Sequence, residues 1–344
     1  MMKKFAISLA TLAMLLSVLT LGGVGCGSID RDQTLTIYHA GSLSVPFAEL
    51  ETEFEETHPN VDVLLESAGS AATIRKVTEL GKTCDIIGSA DYTLIPQMMY
   101  EEYADWHFRF AQNEMVLGYR DGAQYSTDLA EGTKTWYEVL LTGDVTYGHS
   151  DPDQDPCGYR TLLVCQLAQK YYYDDAAFVG LPDPQAEGLY DALIKGSGVD
   201  QGRQSIDQEM VRPKETDLIA LMEAGTLDYM FQYKSVCVQH DIAYIELDDA
   251  INLSSAEEAN FYKEVSVEIQ KSPTETQTIP GKPIVYGITI PKNADNSLLA
   301  MEFIALLLSE QGQDIMTNKC GQPSISPAVC DHPENMPMPI TLDS

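Results

Sequence analysis

Apolar positions in the first part of the chain switch between two periods. Residues 34–39 form an apolar run rich in β-formers, and Phe47, Leu50 and Phe54 then recur at helical spacing down to the turn His58-Pro59-Asn60. Residues 61–65 read as a second strand, and Ile74, Val77 and Leu80 mark a second helix. Residues 85–88 form a short strand that leads into Ser89-Ala90-Asp91. Two strand–helix crossovers in succession predict a parallel, doubly wound sheet.

A second region follows the run at 108–119. Residues 136–141 look helical and 145–149 extended. A polar loop, 150–158, precedes a helix at 159–173. Arg212-Pro213 opens a helix over 214–224, which Gly225 stops. A strand at 227–233, a short helix at 235–240 and a strand at 243–247 come next. Beyond a polar stretch at 272–282 lie a strand at 283–290 and a strong helix at 297–308, continued over 311–319. The proline-bearing tail from Gly321 is expected to wrap the surface. This alternation predicts an α/β protein in two lobes rather than one long sheet.

The first 26 residues stand apart from that pattern. Lys3 and Lys4 precede an uncharged apolar run, 5–21, and Gly22-Gly23-Val24-Gly25 leads to Cys26. The order of basic, apolar and small residues is that of an export signal. A cysteine directly after small residues resembles a lipoprotein signal, with Cys26 as the lipid-bearing first residue of the exported chain. Gly23 stands where such signals usually carry leucine; an uncleaved N-terminal anchor is the alternative. Both readings put the body outside the membrane, tethered by a linker at 27–33. No later stretch reaches the roughly 18 apolar residues of a spanning helix.

Charge narrows the partners. The 344 residues carry 21 Lys and Arg against 52 Asp and Glu, a net charge of −31. Such a surface repels nucleic acid and anionic headgroups. The remaining cysteines, Cys84, Cys157, Cys165, Cys237, Cys320 and Cys330, form no CxxC pair, which argues against a zinc site. Cys320 and Cys330 could close a loop, or all six could be free thiols. Asn252-Leu253-Ser254 matches a glycosylation acceptor.

Three helix starts share one device. The strand at 34–39 ends in Ala40-Gly41-Ser42, the strand at 61–65 is followed by Ser67-Ala68-Gly69-Ser70, and the loop at 150–158 ends in Asp155-Pro156-Cys157-Gly158. Small and hydroxylated residues at a helix start leave backbone N–H groups pointing outward, where the helix dipole favours an anion. In open α/β sheets ligands bind at the C-terminal ends of the strands, where these starts lie. Ser and Gly at helix starts also serve as plain caps.

Ala40-Gly41-Ser42-Leu43, Asp155-Pro156-Cys157-Gly158-Tyr159-Arg160, Arg212-Pro213-Lys214-Glu215 and Tyr233-Lys234-Ser235-Val236 together resemble archaeal tungstate/molybdate-binding proteins, the receptors of an ABC importer. The resemblance runs from about residue 34 to 325. It implies a type II periplasmic-binding-protein-like fold. Two lobes, 34–114 with 283–344 and 115–282, would each carry a mainly parallel sheet flanked by helices, with ligand in the cleft. Crossovers near 113–116 and 280–284 would act as hinges. The resemblance further implies a monomer outside the cytoplasmic membrane that delivers tungstate or molybdate to an importer permease. No cofactor and no catalysis are expected. The site residues it implies are Gly41, Ser42, Ser70, Asp155 with Pro156 and Cys157, Glu215 and Tyr233. Ser67 competes with Ser70, and Asp151 and Asp153 with Asp155. Arg160 and Lys214 flank this set; they could offset negative charge there, though pairing with surface acids is the expectation, while the lone His39 is expected to be satisfied in the core.

Two carboxylates look out of place in an anion site, because like charges repel. Tungsten(VI) and molybdenum(VI) are hard centres that suit oxygen ligands and can expand from four oxo ligands to six. Asp155 and Glu215 would then each give one oxygen to the metal. Sulfate and phosphate cannot expand in this way, so for them the pair is repulsive. The competing readings are a receptor of the same fold for sulfate, iron or a polyamine, and a secreted thiol hydrolase built on Cys157 and His149.

Overall fold

The first apolar run becomes β1 (Gln33–Ala40), which is covered on both faces: Leu35 and Ile37 are buried on one and Tyr38 and Ala40 on the other. A computed structural model of the chain describes residues 33–174, 189–194, 209–272 and 274–338. The export signal, Cys26 and nearly all of the linker lie outside the described residues. After one turn of 3-10 helix at Gly41–Leu43, the Ser44–Thr57 helix buries Pro46, Phe47, Leu50 and Phe54. Phe303 of the Ser297–Leu308 helix meets Phe47 and Phe54 edge-on, with ring centroids 5.9 and 5.4 Å apart. Each such fully buried aromatic contributes roughly 1.5–3 kcal/mol over an exposed one.

β2 (Val61–Ala68) and β3 (Ile86–Ser89) flank β1 in parallel. The run at 108–119 is two strands, not one. β4 (His107–Gln112) belongs to the first sheet and β5 (Met115–Tyr119) to a second, with only Asn113 and Glu114 between them. The second sheet continues with β6 (Tyr147–Ser150), β7 (Glu209–Arg212), β8 (Tyr229–Tyr233) and β9 (Ala243–Glu246), in the order β7-β6-β8-β5-β9. The chain then forms the hairpin β10 (Ser266–Ser272) and β11 (Glu275–Pro280). It returns to the first sheet as β12 (Val285–Thr289) and β13 (Ser324–Asp331), giving β13-β4-β12-β3-β1-β2.

Both sheets are mixed rather than mainly parallel. β12 runs antiparallel to β3 and β4, and β5 runs antiparallel to β8 and β9. The reason is connectivity: β5 and β12 enter each sheet from the other one, and a chain crossing over arrives against the local strand direction. The parallel triplets β2-β1-β3 and β7-β6-β8 keep the doubly wound pattern within each sheet.

Three further expectations change. Arg212-Pro213 does not open a helix: Arg212 ends β7, and the helix begins at Asp217 (Asp217–Glu223), which leaves Glu215 in the turn before it. The polar stretch at 272–282 is mostly β11, whose alternation leaves only Ile279 buried. The tail from Gly321 does not merely wrap the surface, since β13 pairs with β4 along the sheet edge. Cys320 and Cys330 are free, Cys320 being buried. Asn252 is also buried, and its side-chain amide donates to the Leu247 carbonyl at 3.3 Å, so the acceptor sequence is inaccessible in the folded chain.

Candidate functional site

Every candidate residue follows the C-terminal end of a strand in one of the two parallel triplets. β1 hands over to Gly41-Ser42, β2 to Gly69-Ser70 and β3 to Asp91; β6 leads to Asp155, β7 to Glu215, and β8 ends at Tyr233. The two leading strands even share a detail. His39 Nδ1 bonds the Ala40 carbonyl at 2.8 Å, and His149 Nδ1 bonds the Ser150 carbonyl at 2.7 Å. Both histidines are buried, and burial lowers His39 to about 4, so it stays a neutral core residue.

The six-stranded and five-stranded halves meet at these strand ends. Glu215 lies so close to Gly41 that a Cβ there would sit 2.7 and 2.8 Å from its two carboxyl oxygens. A Cβ on Gly69 would lie 2.3 Å from the Gln154 carbonyl oxygen and 2.9 Å from Asp155 Cβ. Only glycine permits either approach. Tyr159 donates its hydroxyl to Asp91 at 2.7 Å, Lys214 reaches Ser67 at 2.9 Å, and Arg75 Nη1 reaches the Asp153 carbonyl at 2.8 Å. Residues from both sheets are thus closed around one buried locus.

Asp155 is a helix cap and something more. Its Oδ1 accepts from the Cys157 N–H at 3.2 Å, and its Oδ2 accepts from the Glu215 N–H at 2.9 Å. Pro156 occupies the first helical position of Pro156–Gln169, where the missing N–H costs nothing. Glu215 is fully buried, yet among the described residues no donor reaches either carboxyl oxygen. Burial first, and then the charge of Asp155, push Glu215 well above its ordinary value, and burial also raises Asp155. The two carboxyls face each other, and only a shared proton would make that contact a hydrogen bond.

Hydroxyls and cations complete the locus. Arg160 Nη1 donates to the Tyr233 hydroxyl at 2.6 Å, and Nη2 lies 3.9 Å from Asp91. Lys282 Nζ is 2.8 Å from the same Asp91. Burial alone would raise Asp91, but the charges of Lys282 and Arg160 outweigh it and hold the carboxyl well below the usual range. The Ser42 and Tyr286 hydroxyls are 2.9 Å apart, and the Tyr233 and Tyr286 rings are 6.1 Å apart. Ser70 Oγ accepts from the Ala90 N–H at 2.9 Å. The arrangement offers hydroxyl donors, a buried cation and two carboxyl groups to one small guest.

Comparison with known proteins fits this geometry. The family model for bacterial extracellular solute-binding proteins matches residues 35–319. The chain belongs to that family. An uncharacterized solute-binding protein of Petrotoga mobilis is 46% identical over 87% of this chain and 86% of its own length. The molybdate/tungstate-binding protein WtpA of Pyrococcus abyssi is 42% identical over 91% of each chain. The periplasmic molybdate-binding protein of Azotobacter vinelandii is 13% identical, with a TM-score of 0.56 over 84% of this chain and 98% of its own, which speaks for the fold.

The binding protein corrects several sequence expectations. Arg160 and Lys214 do not pair with surface acids alone: Arg160 is buried against Asp91 and Tyr233, and Lys214 spans both halves through Ser67, with Asp217 at 3.7 Å. The N–H groups at the start of the Ser70–Thr78 helix do not point into open space. Ala71 and Ala72 donate to the Gln154 carbonyl of the other half at 3.1 and 3.3 Å. The Cys157 N–H is engaged by Asp155. Burial, with Asp155 and Glu215 beside it, raises the Cys157 thiol well above its ordinary value, the opposite of a thiolate nucleophile. Asp151 caps its own loop through the Asp153 N–H, and Asp153 accepts from the Gln270 N–H at 2.7 Å, so both carboxyls already have backbone partners.

Asp91, Asn113, Tyr159, Ser235, Lys282 and Tyr286 escape sequence reasoning as site residues. For Asp91 a signal exists, because Ser89-Ala90-Asp91 follows the third parallel strand as Gly41-Ser42 follows the first. Asn113 and Lys282 lie on the crossovers, whose position in space no local pattern reveals.

Proposed function

We propose that this solute-binding protein captures tungstate or molybdate outside the cytoplasmic membrane and delivers it to the permease of an ABC importer. The observation that carries the reading is Glu215, a fully buried carboxyl with neither oxygen hydrogen-bonded, facing Asp155. A buried polar group without a partner costs free energy unless something binds it. A sulfate or phosphate would add repulsion. A tetrahedral oxoanion whose metal can accept two more oxygens turns both carboxylates into bonds and reaches six-coordination. Ser42, Ser70 and Tyr233 supply hydroxyls for the oxo groups, Gly41 leaves room for the Glu215 carboxyl against the backbone, and Pro156-Cys157 sets the helix start behind it. Arg160 adds a buried positive charge. The name of the Pyrococcus abyssi relative supports the same ligand.

In this reading residues 34–114 with 283–344 and residues 115–282 are the two lobes, and the crossovers at 113–116 and 280–284 are the hinges. The apolar run at 5–21 exports the chain as a monomer, and Cys26 carries its lipid anchor. Calorimetry with tungstate, molybdate, sulfate and phosphate tests the site. Wild type should bind the first two only. Asp155→Asn and Glu215→Gln should each weaken tungstate at least about tenfold, because a neutral amide is a poorer donor to a hard centre. Unchanged tungstate affinity in both variants refutes metal ligation.

A further inference from the structure

Asn113 sits on the first crossover, buried between β4 and β5, and its amide orientation is fixed by backbone. Oδ1 accepts from the Glu114 N–H at 3.0 Å and from the Ser235 N–H at 3.4 Å. A backbone N–H can only donate, so the amide NH2 must face the other way. There it donates to Ser235 Oγ at 2.8 Å and to the Tyr286 hydroxyl at 3.0 Å. Tyr286 therefore accepts from Asn113, and its own proton needs an acceptor. Among the described residues its remaining partner is Ser42 Oγ at 2.9 Å, a contact in which either hydroxyl could donate; with Asn113 already donating to Tyr286, the Tyr286 proton is the one left to give. Ser42, accepting from Tyr286, must turn its proton away from that ring. Ser42, Tyr286 and Asn113 are all buried, so water does not scramble the sequence.

We infer that Asn113 is a positioning residue that sets hydroxyl direction in the oxoanion site, acting through Tyr286 to hold Ser42 as a donor to the guest. The inference rests on the proposed tungstate/molybdate reading of that site. A second chain has the same sense. Arg160 has no acceptor atom, so the Tyr233 hydroxyl it contacts must also donate elsewhere. A site in which the Ser42 and Tyr233 hydroxyls donate suits a fully deprotonated oxoanion, which only accepts. It disfavours an anion carrying its own O–H, which would meet donor against donor. Asn113 thereby acts on ligand choice from the hinge, without touching the ligand.

Asn113→Leu keeps the size of the side chain and removes the directing amide. The first measurement is wild-type calorimetry: no tungstate binding there refutes the ligand reading itself, independently of Asn113. With wild-type binding established, Asn113→Leu should bind tungstate about tenfold more weakly, the worth of one hydrogen bond to a charged group. Its melting shift with hydrogen phosphate should rise above that of wild type, because a freed Ser42 can accept. A merely structural loss would weaken tungstate and leave hydrogen phosphate without a gain over wild type. Unchanged tungstate affinity, or a hydrogen phosphate shift that fails to rise, overturns the inference. Should Asn113→Leu not fold, Tyr286→Phe cuts the same chain one link closer to the site, and the same two outcomes decide.

Discussion

A carboxyl group that is fully buried and accepts no hydrogen bond raises the free energy of the ligand-free fold. Glu215 is such a group, and its pKa is raised by burial and by Asp155. The sign of the pH effect follows. The unfolded chain releases this proton near 4.5, while the folded chain keeps it to a higher pH. The stabilisation is fully present below about 4.5 and is lost as pH rises through the raised folded value. Ligand-free Glu215→Gln has no such proton to lose. Its stability should fall less steeply than that of wild type as pH rises above about 4.5, and once the wild-type carboxyl has ionised it should exceed wild type by about 1–3 kcal/mol. Denaturant melts of both proteins across that range check this. Parallel pH profiles would mean that Glu215 titrates normally. Nothing in Arg212-Pro213-Lys214-Glu215 announces a buried acid; a helix opening there would have placed Glu215 in a solvated first turn, as its residue type suggests. Only the strand β7 and the late helix start carry it inward.

At the level of elements, the start of the Ser70–Thr78 helix is joined to the other half by backbone. The Gln154 carbonyl takes the Ala71 and Ala72 N–H groups, and Gly69 leaves no room for a methyl between them. Gly69→Ala should therefore hold the halves apart while each keeps its fold, since the clash is with backbone that cannot rotate aside. Small-angle scattering of the variant should give a larger radius of gyration than wild type with tungstate, at equal helix content by circular dichroism. Tungstate affinity should fall by about tenfold or more. Superimposable curves would show that the contact yields without opening. The regular elements were legible because their burial is periodic: Phe47, Leu50 and Phe54 mark one helix face, and all three are buried. The apolar pattern of 108–119 does not itself mark the split, because Asn113 and Glu114 interrupt it without a proline or glycine; the expected crossover near 113–116 came from the resemblance alone. The β10–β11 hairpin was missed for a related reason, since its outer face is polar and its inner face offers only Val267, Ile269 and Ile279.

For the whole molecule, the net charge of −31 opposes the doubly charged guest of the proposed function at a distance. Long-range repulsion is screened by salt, whereas contacts in a closed site are not. Stopped-flow association of tungstate should accordingly speed up several-fold as salt rises from about 0.01 to 0.15 M, the reverse of steered binding. A rate that falls with salt would reveal a local positive field at the open mouth strong enough to outweigh the total charge. The two sheets and their crossing were foreseeable as a class, because alternating strands and helices permit few other layouts. Their mixed strand directions were not, because direction depends on which sheet a returning strand enters. The Gln154 carbonyl then takes on a kinetic meaning. Parting the halves costs the Ala71 and Ala72 N–H groups their acceptor. In the proposed closure those two bonds would re-form as a latch made of backbone alone, so the rate of closing would not depend on which side chains flank it.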